Sequence, residues 1–123
     1  MTLKELADVL VAANKSGAAN ALLDEHYAQD AVSVEAVAMD PTRGRETVGL
    51  DGIRGKHAWW DSAMETHGVE VEGPFLHGED RFACVFKVDA TDRESGNRMQ
   101  MHEVAVYHVK DGKIVREEFF YDM

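Results

Sequence analysis

Residues 81–121 constrain the fold most strongly, because three alternating apolar runs follow one another there with only polar turns between them. Arg81–Thr91 (RFACVFKVDAT) reads as a strand, Asp92–Asn97 as a polar turn, and Arg98–Val109 (RMQMHEVAVYHV) as a second strand. Lys110-Asp111-Gly112 turns the chain again, and Lys113–Tyr121 (KIVREEFFY) returns. Asp-Gly between alternating apolar runs signals a tight hairpin, since glycine takes the positive φ such a turn demands. Three consecutive antiparallel strands are therefore expected.

Strand periodicity sorts their side chains into two faces. Phe82, Cys84, Phe86 and Val88 share one face of the first strand, and Met99, Met101, Glu103, Ala105 and Tyr107 one face of the second. In the third, Val115, Glu117, Phe119 and Tyr121 oppose Ile114, Arg116, Glu118 and Phe120. Neither face of the last two strands is cleanly polar. Such a sheet calls for helices on one side and a further protein layer on the other, so a homodimer through the outer face is expected.

Upstream, the helical period takes over. Thr2 with Glu5 has capping-box spacing, Leu3, Leu6, Val9, Leu10 and Ala13 form one stripe, and Gly17 closes the helix. A second short helix is expected over Ala18–Tyr27, then strands at Ala31–Val37 and around Thr47–Leu50, with a turn or loop at Asp40–Gly44. Asp51 reads as the cap of a third helix, Gly52–Thr66, whose inner face carries Ile53, His57, Trp60 and Met64. His67-Gly68 closes that helix, and Val69–His77 is a further strand leading into the meander. Helices gathered early and strands gathered late give a segregated α+β domain, here one domain over residues 1–123.

Composition narrows the function classes. Thirteen basic residues against 23 acidic ones leave a formal charge of −10, which repels nucleic acid and anionic membrane. The single cysteine, Cys84, cannot form an intramolecular disulfide, consistent with a reducing cytoplasm. Acidic residues interrupt the N-terminal stripe, so it lacks the apolar core of a signal peptide, and no apolar run reaches membrane-spanning length. No metal is expected: His102-Glu103 followed by His108 lacks the i, i+4 helical spacing of a zinc motif. Neither a glycine-rich phosphate loop nor a serine nucleophile elbow is present, and no cofactor is expected.

Three stretches resemble the SnoaL-like members of the nuclear transport factor 2-like (NTF2-like) superfamily, which includes ketosteroid isomerases and polyketide cyclases. They are Tyr27-Ala28-Gln29-Asp30-Ala31, Val48-Gly49-Leu50-Asp51-Gly52-Ile53-Arg54-Gly55, and Asp111-Gly112-Lys113-Ile114-Val115. The resemblance implies a cystatin-like cone, with three helices from the N-terminal half packed on a strongly curved antiparallel sheet around a cavity. It says little about chemistry, since the fold hosts isomerases, cyclases, dehydratases, epoxide hydrolases and non-catalytic binding modules. Carried over position by position, the isomerase-type general base falls on Glu35. The pocket acid, also the acid/base position of SnoaL-type cyclases, falls on Glu103, and a hydrogen-bonding position of the third helix near His57. The isomerase oxyanion tyrosine has no counterpart, because Met1–Ser16 contains no tyrosine.

The residues can be read without the resemblance too. Glu35 lies between Val34 and Ala36 in a strand that should be half buried, where it is either a general base or a residue of the wet face. Glu103, among Met101, Ala105 and Tyr107, is either a protonated donor to a developing oxyanion or half of an ion pair, for example with Arg54. Glu117 faces the cavity on this count, with Glu118 taking its place if the strand slips by one residue. His57 either orients a carboxylate or is a packing residue. Tyr27, Trp60, Phe86, Met99, Met101 and Phe119 would form a soft wall for a small hydrophobic molecule, or plain core. Together these point to cofactor-independent acid/base chemistry on a small hydrophobic carbonyl compound, of isomerase or cyclase type, through Glu35, Glu103 and His57. A ligand-binding or accessory module without catalysis is the alternative; hydration or dehydration through His57 and a water ranks below both.

Overall fold

The computed structural model describes residues 1–38 and 44–122. The N-terminal signals act as their chemistry dictates. The Thr2 hydroxyl accepts from the Glu5 backbone N–H at 3.1 Å, and the Glu5 carboxylate accepts from the Thr2 N–H at 2.9 Å, a complete capping box. It opens α1 (Leu3–Ser16), which ends at Gly17 in the left-handed region. Leu6, Ala7, Leu10 and Val11 are its buried stripe.

The remaining elements are α2 (Ala19–His26), β1 (Tyr27–Val34), β2 (Glu46–Val48), α3 (Leu50–Ala63), β3 (Met64–His77), β4 (Arg81–Asp92), β5 (Arg98–Lys110) and β6 (Lys113–Phe120). Several boundaries differ from those expected. The first strand begins at Tyr27, directly off α2, and His67 and Gly68 belong to β3 instead of closing α3. Gly49, not Asp51, occupies the N-cap of α3, without a side-chain cap; Asp51 stands in the first turn, where its charge suits the helix dipole. Part of the turn expected at Asp40–Gly44 lies outside the described residues.

The strands form a single sheet in the order β2-β1-β6-β5-β4-β3. Every neighbouring pair is antiparallel except β1 and β6, which run parallel. Asp111 and Gly112, both at positive φ, make the tight turn between β5 and β6. Register shifts at Thr66/Gly68 and Glu72/Phe75 bend β3, as an extra residue in one strand does. A further shift at His108/Val109 corrects one expected face. Ile114 pairs with Val109 and is fully buried, while Val115 is only half buried. Ile114 therefore shares the inner side with Glu117 because an unpaired residue between them resets the alternation.

Helix α1 packs over β3 and β4, and α3 over β1. Leu6, Leu10, Leu23, Ile53, Phe82, Cys84 and Ile114 form the centre of the core. Burial pushes the Cys84 thiol up to about 12, so it is an inert packing group. Toward β1, β6 and α3 the inner surface turns polar, and there the site residues meet.

Candidate functional site

Sheet register explains why distant residues converge. Ser33 stands beside Glu117 in the parallel β1–β6 pairing, and Tyr107 stands on the other side of Glu117 in β5. Glu117 is only 4% exposed. Its carboxylate accepts from two hydroxyls, Tyr27 at Oε1 and Ser33 at Oε2, the latter at 2.8 Å. A buried charge is tolerable on these terms, since donors replace the lost water.

Lys56 reaches this network from α3. Its Nζ donates to Ser33 Oγ at 2.7 Å and to Glu35 Oε1 at 2.6 Å, and lies 5.6 Å from the centre of the Phe119 ring. Glu35, just past β1, also accepts from the Tyr121 hydroxyl at 2.9 Å. The two ion-pair side chains are 14% (Glu35) and 16% (Lys56) exposed, so the pair sits at the edge of solvent. Tyr121, Glu35, Lys56, Ser33, Glu117 and Tyr27 thus form one continuous chain of hydrogen bonds.

Glu103 projects from the inner face of β5, across from Phe86. Burial first, then the negative charge of Glu35, pushes its carboxyl up from 4.5 to about 7; Lys56 opposes the rise and Glu117 adds to it. Near neutral pH it therefore exchanges its proton readily. Burial, followed by the charge of Glu117, raises the Tyr27 and Tyr107 phenols well above their ordinary value. Burial and the charge of Glu35 do the same for Tyr121, so all three remain hydroxyl donors. Burial lowers His57, leaving it neutral at pH 7. Its Nδ1 lies 2.6 Å from Asn20 Oδ1, which can only accept, so Nδ1 carries the proton.

The expected site residues thus divide. Glu35, Glu103 and Glu117 converge on the inner side, with Tyr27 and Phe119 against them. His57 borders the cluster but is engaged with Asn20. Phe86 is buried in the core behind Glu103. Met101 is half buried opposite Val88, and Met99 is 37% exposed toward the sheet end. The Trp60 indole N–H donates to Thr66 Oγ1 at 2.9 Å. Arg54 is not the partner of Glu103; it pairs with Asp24 and, at 3.7 Å, with Asp51.

Sequence reasoning missed Lys56, Ser33 and Tyr121. Lys56 lies three residues after Ile53 and four before Trp60, so it interrupts the inner stripe of α3 with a charge. Ser33 has the strand parity of Glu35, and Tyr121 that of Glu117. Two surface clefts lie elsewhere. One of about 410 Å³ runs between Glu46, Thr47, Asp51, Gly52 and Gly55, and one of about 560 Å³ crosses the sheet at Gly68, Lys87, Gln100 and His102.

A curved, mostly antiparallel six-stranded sheet under three helices matches the NTF2-like cone. Residues 1–121 match the family description "SnoaL-like domain", and the chain belongs to that family. The crystal structure of a protein from Mesorhizobium loti, provisionally named both a SnoaL-like polyketide cyclase and a carbohydrate phosphatase, is 37% identical. It superposes with a TM-score of 0.90 over 98% of this chain and 100% of that one. An NTF2-like protein from Burkholderia thailandensis shares 20% identity, with a TM-score of 0.82 over 99% of this chain and 92% of that one. A protein of ketosteroid isomerase-like fold from Catenulispora acidiphila, crystallised with trimethylamine, shares 18% identity, with a TM-score of 0.72 over 100% of this chain and 88% of that one. These two likenesses establish the fold alone. No curated protein matches the sequence.

Proposed function

We propose that the chain is a cofactor-independent acid/base enzyme, of isomerase or cyclase type, acting on a small hydrophobic carbonyl compound. The observation that carries this reading is a carboxyl group poised at about 7, Glu103, facing the same cluster as the Lys56 ammonium. A general base works best with a proton affinity near the operating pH. Glu103 takes a proton from the carbon beside the carbonyl, Lys56 holds the negative oxygen that develops, and protonated Glu103 returns the proton at its new position. Glu35, itself held by the Tyr121 hydroxyl, and Ser33 fix the lysine head. In this assignment Glu103 takes the base role that the resemblance gave to Glu35, and Lys56 stands in place of the absent first-helix tyrosine.

The relative from Mesorhizobium loti, by the cyclase half of its name, supports carbonyl chemistry. The test is exchange of the protons beside the carbonyl of small aromatic ketones in D₂O, followed by NMR. Glu103→Gln should slow enzyme-catalysed exchange by about 10²–10⁴-fold. Absence of catalysed exchange with every ketone tried would favour the second reading, a binding module. One observation supports that alternative: among the described residues every buried polar side-chain atom has a partner, so the network is complete without a ligand.

We also propose that two copies associate through the outer face of the sheet. Val104 and Phe120 face each other there, 39% and 49% exposed, with Val85 and Val106 half buried alongside. The lone buried thiol fits a cytoplasmic location.

A further inference from the structure

Ser33 has one hydroxyl proton, and its two polar neighbours leave that proton a single direction. On one side the Glu117 carboxylate can only accept, and Ser33 Oγ donates to its Oε2 at 2.8 Å. On the other the Lys56 ammonium can only donate, and its Nζ reaches the same Oγ at 2.7 Å. Water offers no substitute, since Ser33 is wholly buried and Glu117 nearly so. The parallel register sets Ser33 directly beside Glu117, so the backbones of β1 and β6 hold the two side chains together. Tyr27 keeps its proton, because burial and the charge of Glu117 raise its phenol, and its donation to Oε1 fixes the other carboxylate oxygen. Both hydroxyls thus point their protons at Glu117, which leaves a lone pair of Ser33 for Lys56.

The ammonium is held from its other side by Glu35, whose Oε1 lies 2.6 Å from Nζ. That carboxylate is set by the Tyr121 hydroxyl at 2.9 Å. The Glu35 backbone is tied in turn to Arg45: its N–H donates to Arg45 O, and Arg45 Nε donates to Glu35 O, each at 2.9 Å. An ammonium carries three N–H bonds. Two face Ser33 and Glu35, and among the described residues the third meets no acceptor. We propose that Glu117 is a positioning residue: it takes the Ser33 proton, turns that hydroxyl's lone pair to Lys56, and so aims the remaining N–H at the oxygen that gains charge in the reaction. The inference rests on the acid/base reading of Lys56 and extends it to a residue that does not touch the substrate. Held by Glu35 alone, the flexible lysine stem can swing about that contact; a second acceptor removes this freedom before any substrate arrives. A glutamate that only tied β1 to β6 would be indifferent to what the lone pair of Ser33 meets.

Ser33→Ala and Glu117→Gln, singly and together in the full chain, test this. The first readout is the nitrogen NMR signal of the Lys56 ammonium in cold, slightly acidic solution, where a held ammonium shows its protons and a released one exchanges them with water. The native protein should give that signal and either single variant should lose it. The second readout is ketone proton exchange. Each single variant should lower kcat about tenfold or more with KM within about twofold, since the donor is mis-aimed and not removed. The double variant should fall within about threefold of the worse single one, because both changes break the same path. Effects that multiply in the double variant would overturn the proposal. So would a Lys56 signal that Glu117→Gln or Ser33→Ala leaves intact, or one missing from the native protein. If Glu117→Gln does not fold, Ser33→Ala decides by the same signal. Absence of ketone exchange in the native protein would remove the acid/base reading, and the Lys56 signal would still decide whether Glu117 aims the ammonium.

Discussion

Replacing Glu103 with glutamine separates a poised acid from a buried ion-pair partner by stability alone. In the folded chain the Glu103 carboxyl is raised from 4.5 to about 7. Between those values the native state keeps a proton that the unfolded chain has released, so stability is fully present below 4.5 and lost as pH rises through about 7. The difference of about 2.5, at about 1.36 kcal/mol per pH unit, comes to about 3 kcal/mol. Partial exposure of the cluster to solvent trims this to about 2–3 kcal/mol. Glutamine has nearly the same shape and never ionises. At about pH 4.5 the two proteins should therefore be equally stable within about 0.5 kcal/mol, whereas at about pH 8.5 the variant should be the more stable by about 2–3 kcal/mol. Urea unfolding at the two pH values measures this directly, and in melting temperature it amounts to roughly 10 °C for a chain of this length. A variant that loses stability at high pH would refute the reasoning, because Glu103 would then be held as a carboxylate by a partner of opposite charge.

Three further outcomes follow from the same cluster and from the sheet. Lys56→Met should cost about 2–3 kcal/mol in denaturant unfolding at pH 7, less than for a wholly enclosed pair because both side chains reach solvent. Because the ammonium holds the Glu103 carboxyl down, its titration followed by carbon NMR should also move above about 7 in that variant. Tyr27→Phe removes a donor to Glu117 with almost no change of shape, and unfolding experiments should register a loss of about 1–3 kcal/mol. Phe120→Glu, on the outer face, should reduce a dimeric sedimentation mass to that of one chain while leaving the Glu103 titration in place.

The hairpins were legible because their instructions are local: Asp111-Gly112 dictates its turn whatever lies beyond, and Thr2 with Glu5 dictates the start of α1. The pairing of β1 with β6 was not, since parallel neighbours far apart in sequence have no turn to announce them. That gap hid the site's logic. Glu117 could be placed on the inner face by counting, but the Ser33 hydroxyl beside it follows only from the parallel register. The shift at His108/Val109 likewise placed Ile114 inside against simple alternation. Lys56 was missed although it interrupts an apolar stripe, and its partners come from β1, which sequence periodicity does not orient relative to α3. Glu103 was anomalous from its neighbours alone; which charges surround it required coordinates.

The hydrogen bond from Tyr27 to Glu117 closes a loop of 90 residues. Everything between its ends must already be in place, or arrive with it, before the acidic centre exists. A growing chain that has finished its helices and most of its meander still lacks Glu117 and the wall it shares with Ser33. The cluster is thereby tied to completion: a partly folded molecule has scattered carboxylates in water, each with an everyday proton affinity. The closing strand thus completes the buried acidic cluster as well as the sheet.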